Sequence, residues 1–174
     1  MTAPLATAND YLRRTHRLLE EGRHEDVVRA AEDGLLIAPT NAGLLYNLGL
    51  ALAQMDGQKE RAIAALGLIR AGEREVVEPA LFLRASLLNQ QGRNEEAIEV
   101  LDAAFGSRPT NEDALLLRAR LLEGLGDNAG AEDILKGAMS AGRRRVGVEL
   151  AALMLREGRY AEARDVASEA MATA

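Results

Sequence analysis

The chain has 174 residues, is 48% hydrophobic but 3% aromatic, carries a net charge of −6 and contains no cysteine. Disulfides and thiolate chemistry are excluded, an acidic chain disfavours nucleic-acid binding, and no segment approaches the ~18 apolar residues that a membrane span requires. The core must be built from Ala, Leu, Ile and Val, which suits closely packed helices, and strand formers are too sparse for a sheet.

The first seven residues form a short N-terminal segment with neither a basic start nor a long apolar run. No leader is read there, and the default location is the cytoplasm. From residue 8 the chain repeats itself. Turn glycines fall at Gly22, Gly57, Gly92, Gly126 and Gly158, with spacings of 35, 35, 34 and 32 residues. Such a period, each turn followed by an apolar stripe at helical spacing, predicts an array of helix pairs over 8–174. The copies run at about 8–41, 42–77, 78–111, 112–143 and 144–174.

In the first copy Tyr11, Thr15, Leu18 and Leu19 face inward from one helix, and Val27, Ala31 and Leu35 from the next. In the second, Leu45, Leu48, Gly49 and Leu52 pair with Ala62, Leu66 and Ile69. This copy is longer than its neighbours. Asp56 stands where other copies have glycine, and Gly72-Glu73-Arg74-Glu75 replaces the proline stop, so a loosened turn is expected there without a domain boundary. The third copy is the cleanest. Gly92 ends one helix, Asn94 is a cap-type residue, Glu95 and Glu96 favour the helix dipole, and Ala97, Val100, Leu101 and Ala104 form the stripe. Pro109 stops it, and Thr110-Asn111 caps the next helix, as Thr40-Asn41 does earlier. The fourth copy buries Leu115, Ala119, Leu122, Ala131, Leu135 and Ala138, and the fifth Leu150, Ala151, Met154, Ala163, Ala167 and Ala170.

These residues resemble the tetratricopeptide repeat family. Leu45-x2-Leu48-Gly49-x2-Leu52 with Ala62-x3-Leu66 carries the likeness, as do Leu81-x2-Arg84-Ala85-x2-Leu88 with Ala97-x3-Leu101 and Pro109, and Leu115-x2-Arg118-Ala119-x2-Leu122 with Ala131-x3-Leu135. The resemblance implies an all-α, right-handed α-solenoid of about five helix-turn-helix repeats, with first helices lining a concave side. Physically, small residues at Gly49, Ala85, Ala119 and Ala151 let the second helix approach, and Ala62, Ala97, Ala131 and Ala163 answer from the other side. Arg14, Arg84 and Arg118 depart from the family's usual Leu; an arginine stem can lie along apolar surface with its head in water.

Candidate chemistry is sparse. His16 and His24 have no metal-type spacing, so no metal site is read. Glu20-Glu21, Glu25-Asp26 and Glu95-Glu96 are adjacent acids at helix ends, where the dipole explains them, and not a facing catalytic pair. Ser86, Ser107, Ser140 and Ser168 lack a nucleophile context, and Gly124-x-Gly126 with Gly130 fits the repeat turn better than a phosphate loop. Arg143-Arg144-Arg145 reads as a solvated turn near a helix C-terminus. No catalytic residue and no cofactor is assigned. Some family members hold a peptide's terminal carboxylate on successive first helices; the corresponding Leu12, His16, Asn47, Pro79 and Leu83 argue against that clamp, since only Asn47 fits.

By the resemblance, one column looks into the groove: Leu12, Tyr46, Phe82, Leu116 and Val148. Leu50, Leu83 and Leu117 lie beside it, and Arg13, Asn47, Asn89, Arg120 and Glu149 flank it. Two of the chain's five aromatics stand in the column. The leading reading is a non-enzymatic scaffold that takes an apolar peptide or helix from a protein partner, with no nucleic acid and no membrane. Two alternatives stay open: an accessory repeat domain of a larger bacterial glycosyl- or sulfotransferase-type enzyme, and a secretion-type chaperone. The last helix, with Val166, Ala170 and Met171, has no solvating helix after it: either that face is mildly apolar and tolerated, or it pairs weakly with a second copy, or the natural chain continues, and the last two are the expectation.

Overall fold

The structure, a computed structural model, describes residues 6–70, 72–107, 109–143 and 145–172. Met1–Leu5 of the N-terminal segment, Arg144 of the arginine run and the last two residues of the fifth copy lie outside the described residues. The described residues form ten α-helices and no strand. The helices group into two compact units, Met1–Gln91 and Gly92–Ala174.

The first unit holds α1 (Ala8–Glu20), α2 (His24–Ile37), α3 (Ala42–Ala53), α4 (Lys59–Gly67) and α5 (Arg74–Gln90). Each packs on its neighbours in the chain, and the first helices also pack side by side, α1 on α3 and α3 on α5. The second unit holds α6 (Asn94–Phe105), α7 (Glu112–Gly124), α8 (Asn128–Ser140), α9 (Arg145–Arg156) and α10 (Tyr160–Met171). There too each helix packs on the next, and α7 lies against α9.

All five turn glycines adopt left-handed backbone, with φ between 69° and 82°. A side chain resists that conformation, which is why the spacing of these glycines carries the fold. Gly57 keeps it at φ 72°, so the displaced glycine still makes the turn. What loosens in the second copy is its other end. Helix α4 has only nine residues and stops at Gly67, and α5 starts at Arg74, four residues before the expected copy boundary, which places Pro79 inside the helix.

The close-packing residues behave as sterics requires. Ala31, Ala62 and Ala97 are 0% exposed, Ala131 1% and Ala163 2%. A Cβ on Gly49 would fall 2.5 Å from Leu66 Cδ2, so only glycine fits beneath that side chain. Leu45, Leu52, Leu66, Leu101, Leu135 and Leu150 fill the space between helices, all at 0–1% exposure.

Asn41 and Asn111 each accept from a backbone N–H three residues on, Leu44 and Ala114, at 3.0 Å. Thr7 and Asp10 form a reciprocal capping box on α1. Asn94 does not cap α6. The N-cap is Arg93, and Asn94 is the first helical residue, buried beside Gly124. The second helices α2, α6 and α10 instead use an arginine clasp: Arg23, Arg93 and Arg159 at the N-cap each bond the acid three residues later, Asp26, Glu96 and Glu162, whereas Asp127 caps α8 by accepting from the Gly130 N–H at 2.9 Å.

Candidate functional site

In the first unit the layer of α1, α3 and α5 carries Leu12, Tyr46, Leu50, Phe82 and Leu83, all partly buried. Leu12 reaches across to α3: a Cβ on Gly43 would lie 2.9 Å from its Cδ1. That places Leu12 one helical turn from Tyr46 on the same face of α3. Burial pushes the Tyr46 phenol above its ordinary pKa. The layer is therefore apolar and incompletely covered.

Asn47 does not belong to its rim. It is 2% exposed, and its Nδ2 donates to Thr15 Oγ1 at 2.8 Å, while Thr15 Oγ1 donates to the Leu12 carbonyl at 2.9 Å. These polar atoms are occupied inside the unit and hold α3 to α1.

In the second unit the corresponding residues are differently placed. Leu117 is buried at 7% exposure, Leu116 packs on the core with Leu115 and Ala119, and Val148 is 66% exposed. Charged pairs bridge α7 and α9: Arg120 donates to Glu149 through Nε and Nη2 at 3.2 and 3.0 Å, and Arg156 to Glu123 at 2.5 and 2.9 Å. Arg120 raises the charge-holding tendency of the pair in both directions, since its hydrogen bonds to Glu149 hold that carboxyl below its ordinary pKa and the carboxylate raises the guanidinium's. Val148 and Leu155, 50% exposed and seven residues apart, share one face of α9.

The two described arginines of the run, Arg143 and Arg145, have partners. Arg143 donates to the Pro109 carbonyl at 3.2 Å, and Arg145 stands 3.4 Å from Glu112 and 3.7 Å from Asp113. Arg143 also edges a cavity of about 420 Å³ in the second unit, with Pro109, Leu115, Ile134, Gly137 and Ala138 among its walls. Sequence reasoning missed this cavity. Its signal was Gly137, a glycine in mid-helix with no atom near the position of a Cβ. Also unanticipated are Leu36, Ile37 and Leu68 near the ends of second helices, at 84%, 54% and 58% exposure.

Among the described residues no cluster of three or more His, Asp or Glu is placed to hold a metal ion, and no helix is long and apolar enough to cross a membrane. His16 is exposed, and His24 opens α2 beside a shallow hollow with Asp56 and Met55.

Helix pairs with small residues at each crossing and a glycine turn between them define a helical repeat protein. Residues 88–147 match the tetratricopeptide repeat family model. That match spans about a third of the chain, and the solved structures show that the rest shares the same repeat fold. Its fold is shared with MamA residues 41-end from Desulfovibrio magneticus RS-1, with a TM-score of 0.78 at 19% identity over 97% of this chain and 96% of that one. A further MamA crystal structure gives a TM-score of 0.77 at 18% identity, covering 94% and 90%. Nearly identical TPR-like repeats from a Podosopora anserina protein of kinesin-light-chain type give 0.72 at 18% identity, covering 94% and 93%. No curated protein matches the chain.

Proposed function

We propose that the chain is a non-enzymatic, cytoplasmic interaction scaffold, and that the α1–α3–α5 layer of the first unit receives an apolar segment of a protein partner. The observation that carries this reading is the partial cover over Leu12, Tyr46 and Phe82, on three first helices packed side by side. An apolar centre supplies most of the binding energy in such surfaces, and aromatic anchors supply a large share of it. Recognition rests on these side chains and not on Asn47, whose amide is occupied. The partner presents apolar side chains from an amphipathic helix or an extended segment. Basic flanks on that segment speed association with an acidic chain.

The second unit, taken by itself, offers a less apolar counterpart. Its Arg120–Glu149 and Glu123–Arg156 pairs occupy the side chains between α7 and α9. Weak self-association through α10 belongs to the same proposal: Met171 is 76% exposed near its end, while Val166 is partly buried on the core. A chain that stays monomeric at high concentration argues against that part.

The test is affinity capture with mass spectrometry, comparing wild type with Tyr46→Ala/Phe82→Ala under a high-salt wash. A specific protein retained by wild type through the wash and lost by the variant supports the apolar layer. Capture that salt removes, or that the variant keeps, speaks against it.

A further inference from the structure

Arg84 on α5 is a partly buried guanidinium with no hydrogen bond or ion pair among the described residues, and its Nε is fully enclosed without a partner. It lies over Gly67, the last residue of α4. A Cβ there would sit 3.3 Å from Cζ, 3.4 Å from Nη2 and 3.5 Å from Nε. Arg118 shares that enclosed, unpartnered Nε, so what sets Arg84 apart among the described residues is that its Nη groups have no acid either.

The second unit shows what the position is built for. Arg84 and Arg118 each stand eight residues before a turn glycine, Gly92 and Gly126. Gly67 and Asp102 each stand ten residues after one, Gly57 and Gly92. In the second unit Arg118 is 12% exposed and pairs directly with the Asp102 carboxylate. In the first unit the arginine is kept and the acid has become glycine. The Nη end, which Asp102 grips on Arg118, is left on Arg84 without an acid.

We infer that Arg84 receives a carboxylate from outside the chain: an Asp or Glu side chain of a partner polypeptide, taken by the Nη groups that lie beside Gly67. Leu68, next to Gly67 and 58% exposed, supplies an apolar contact for the residue beside that acid. A segment with an acid next to an apolar residue fits both groups. A free carboxylate would satisfy Arg84 alone and leave Leu68 uncovered. The site uses α4 and the α4-facing side of α5, and it stands whether or not the apolar layer binds.

The test uses the full chain labelled with nitrogen-15, following the arginine Nε–H signals, with Arg84 assigned from Arg84→Lys. Acetyl-Asp-Leu-amide, acetyl-Asn-Leu-amide and sodium acetate are titrated at constant ionic strength. The expected result is a saturable shift of the Arg84 signal with the Asp peptide, at least tenfold tighter than with the Asn peptide or acetate. Gly67→Asp, which restores the acid within the chain, should abolish that response and move the Arg84 signal in the same direction without peptide. Equal responses to the Asp and Asn peptides, or an acetate affinity matching the Asp peptide, would overturn the proposal. So would an undiminished response in Gly67→Asp with its helix content intact.

Discussion

The side-chain amide of Asn47 donates to the hydroxyl of Thr15 at 2.8 Å, joining α3 to α1 with both residues buried. Thr15→Val removes the acceptor and strands an amide N–H, which should cost about 1–3 kcal/mol. Thr15→Val with Asn47→Leu removes both partners and should cost less than the single change. Urea midpoints decide it: additive losses would mean that the two side chains act independently.

Ala97 is 0% exposed at a close helix contact, whereas Ala129 is exposed at the start of α8. Ala97→Arg should destabilise by more than about 2 kcal/mol through overpacking and a buried charge, and Ala129→Arg by no more than ~0.5 kcal/mol. Equal midpoints for the two variants would refute the assigned packing.

Gly137 is the opposite case. It sits inside α8 with nothing within 4 Å of a Cβ position. Gly137→Ala should stabilise the chain by about 0.5–1 kcal/mol, because alanine is the better helix residue and meets no obstacle. A loss of stability would show that the 420 Å³ space is narrower than it stands in the structure.

Glu132 accepts from Arg159 at 2.7 Å and pairs with Lys136 at 2.5 Å, and these bonds hold its carboxyl down to about 2, against an ordinary 4.5. A carboxyl depressed in the folded state adds stability above its unfolded pKa and loses it as pH falls through the folded one. Wild type should therefore exceed Glu132→Gln in stability at pH 7. The gap should shrink from about pH 4.5 and close near pH 2. A pH-independent gap would contradict the ion-pair account.

What could be read from the sequence follows from steric exclusion. A left-handed turn at Gly92 and a crossing too close for a side chain at Gly49 leave only one residue type, so these positions announce themselves. Val27, Ala62 and Leu101 follow from helical spacing for the same reason. Polar partners across helices do not announce themselves. Asn47 looks like a groove residue until Thr15, 32 positions earlier, is known to face it. Asn94 has the chemistry of a cap but stands one residue inside the helix, where Gly124 receives it. The missing acid opposite Arg84 emerges only when two copies are laid over each other with their contacts known.

The most direct measurement of the central claim is titration calorimetry between the full chain and the apolar segment of its captured partner, in low and in 1 M salt. The account predicts that Tyr46→Ala/Phe82→Ala weakens binding by on the order of 2–4 kcal/mol, with helix content retained, and that wild type keeps most of its affinity in high salt. Undiminished binding by the double variant, or a wild-type complex abolished by salt alone, would contradict recognition through the apolar layer of α1, α3 and α5.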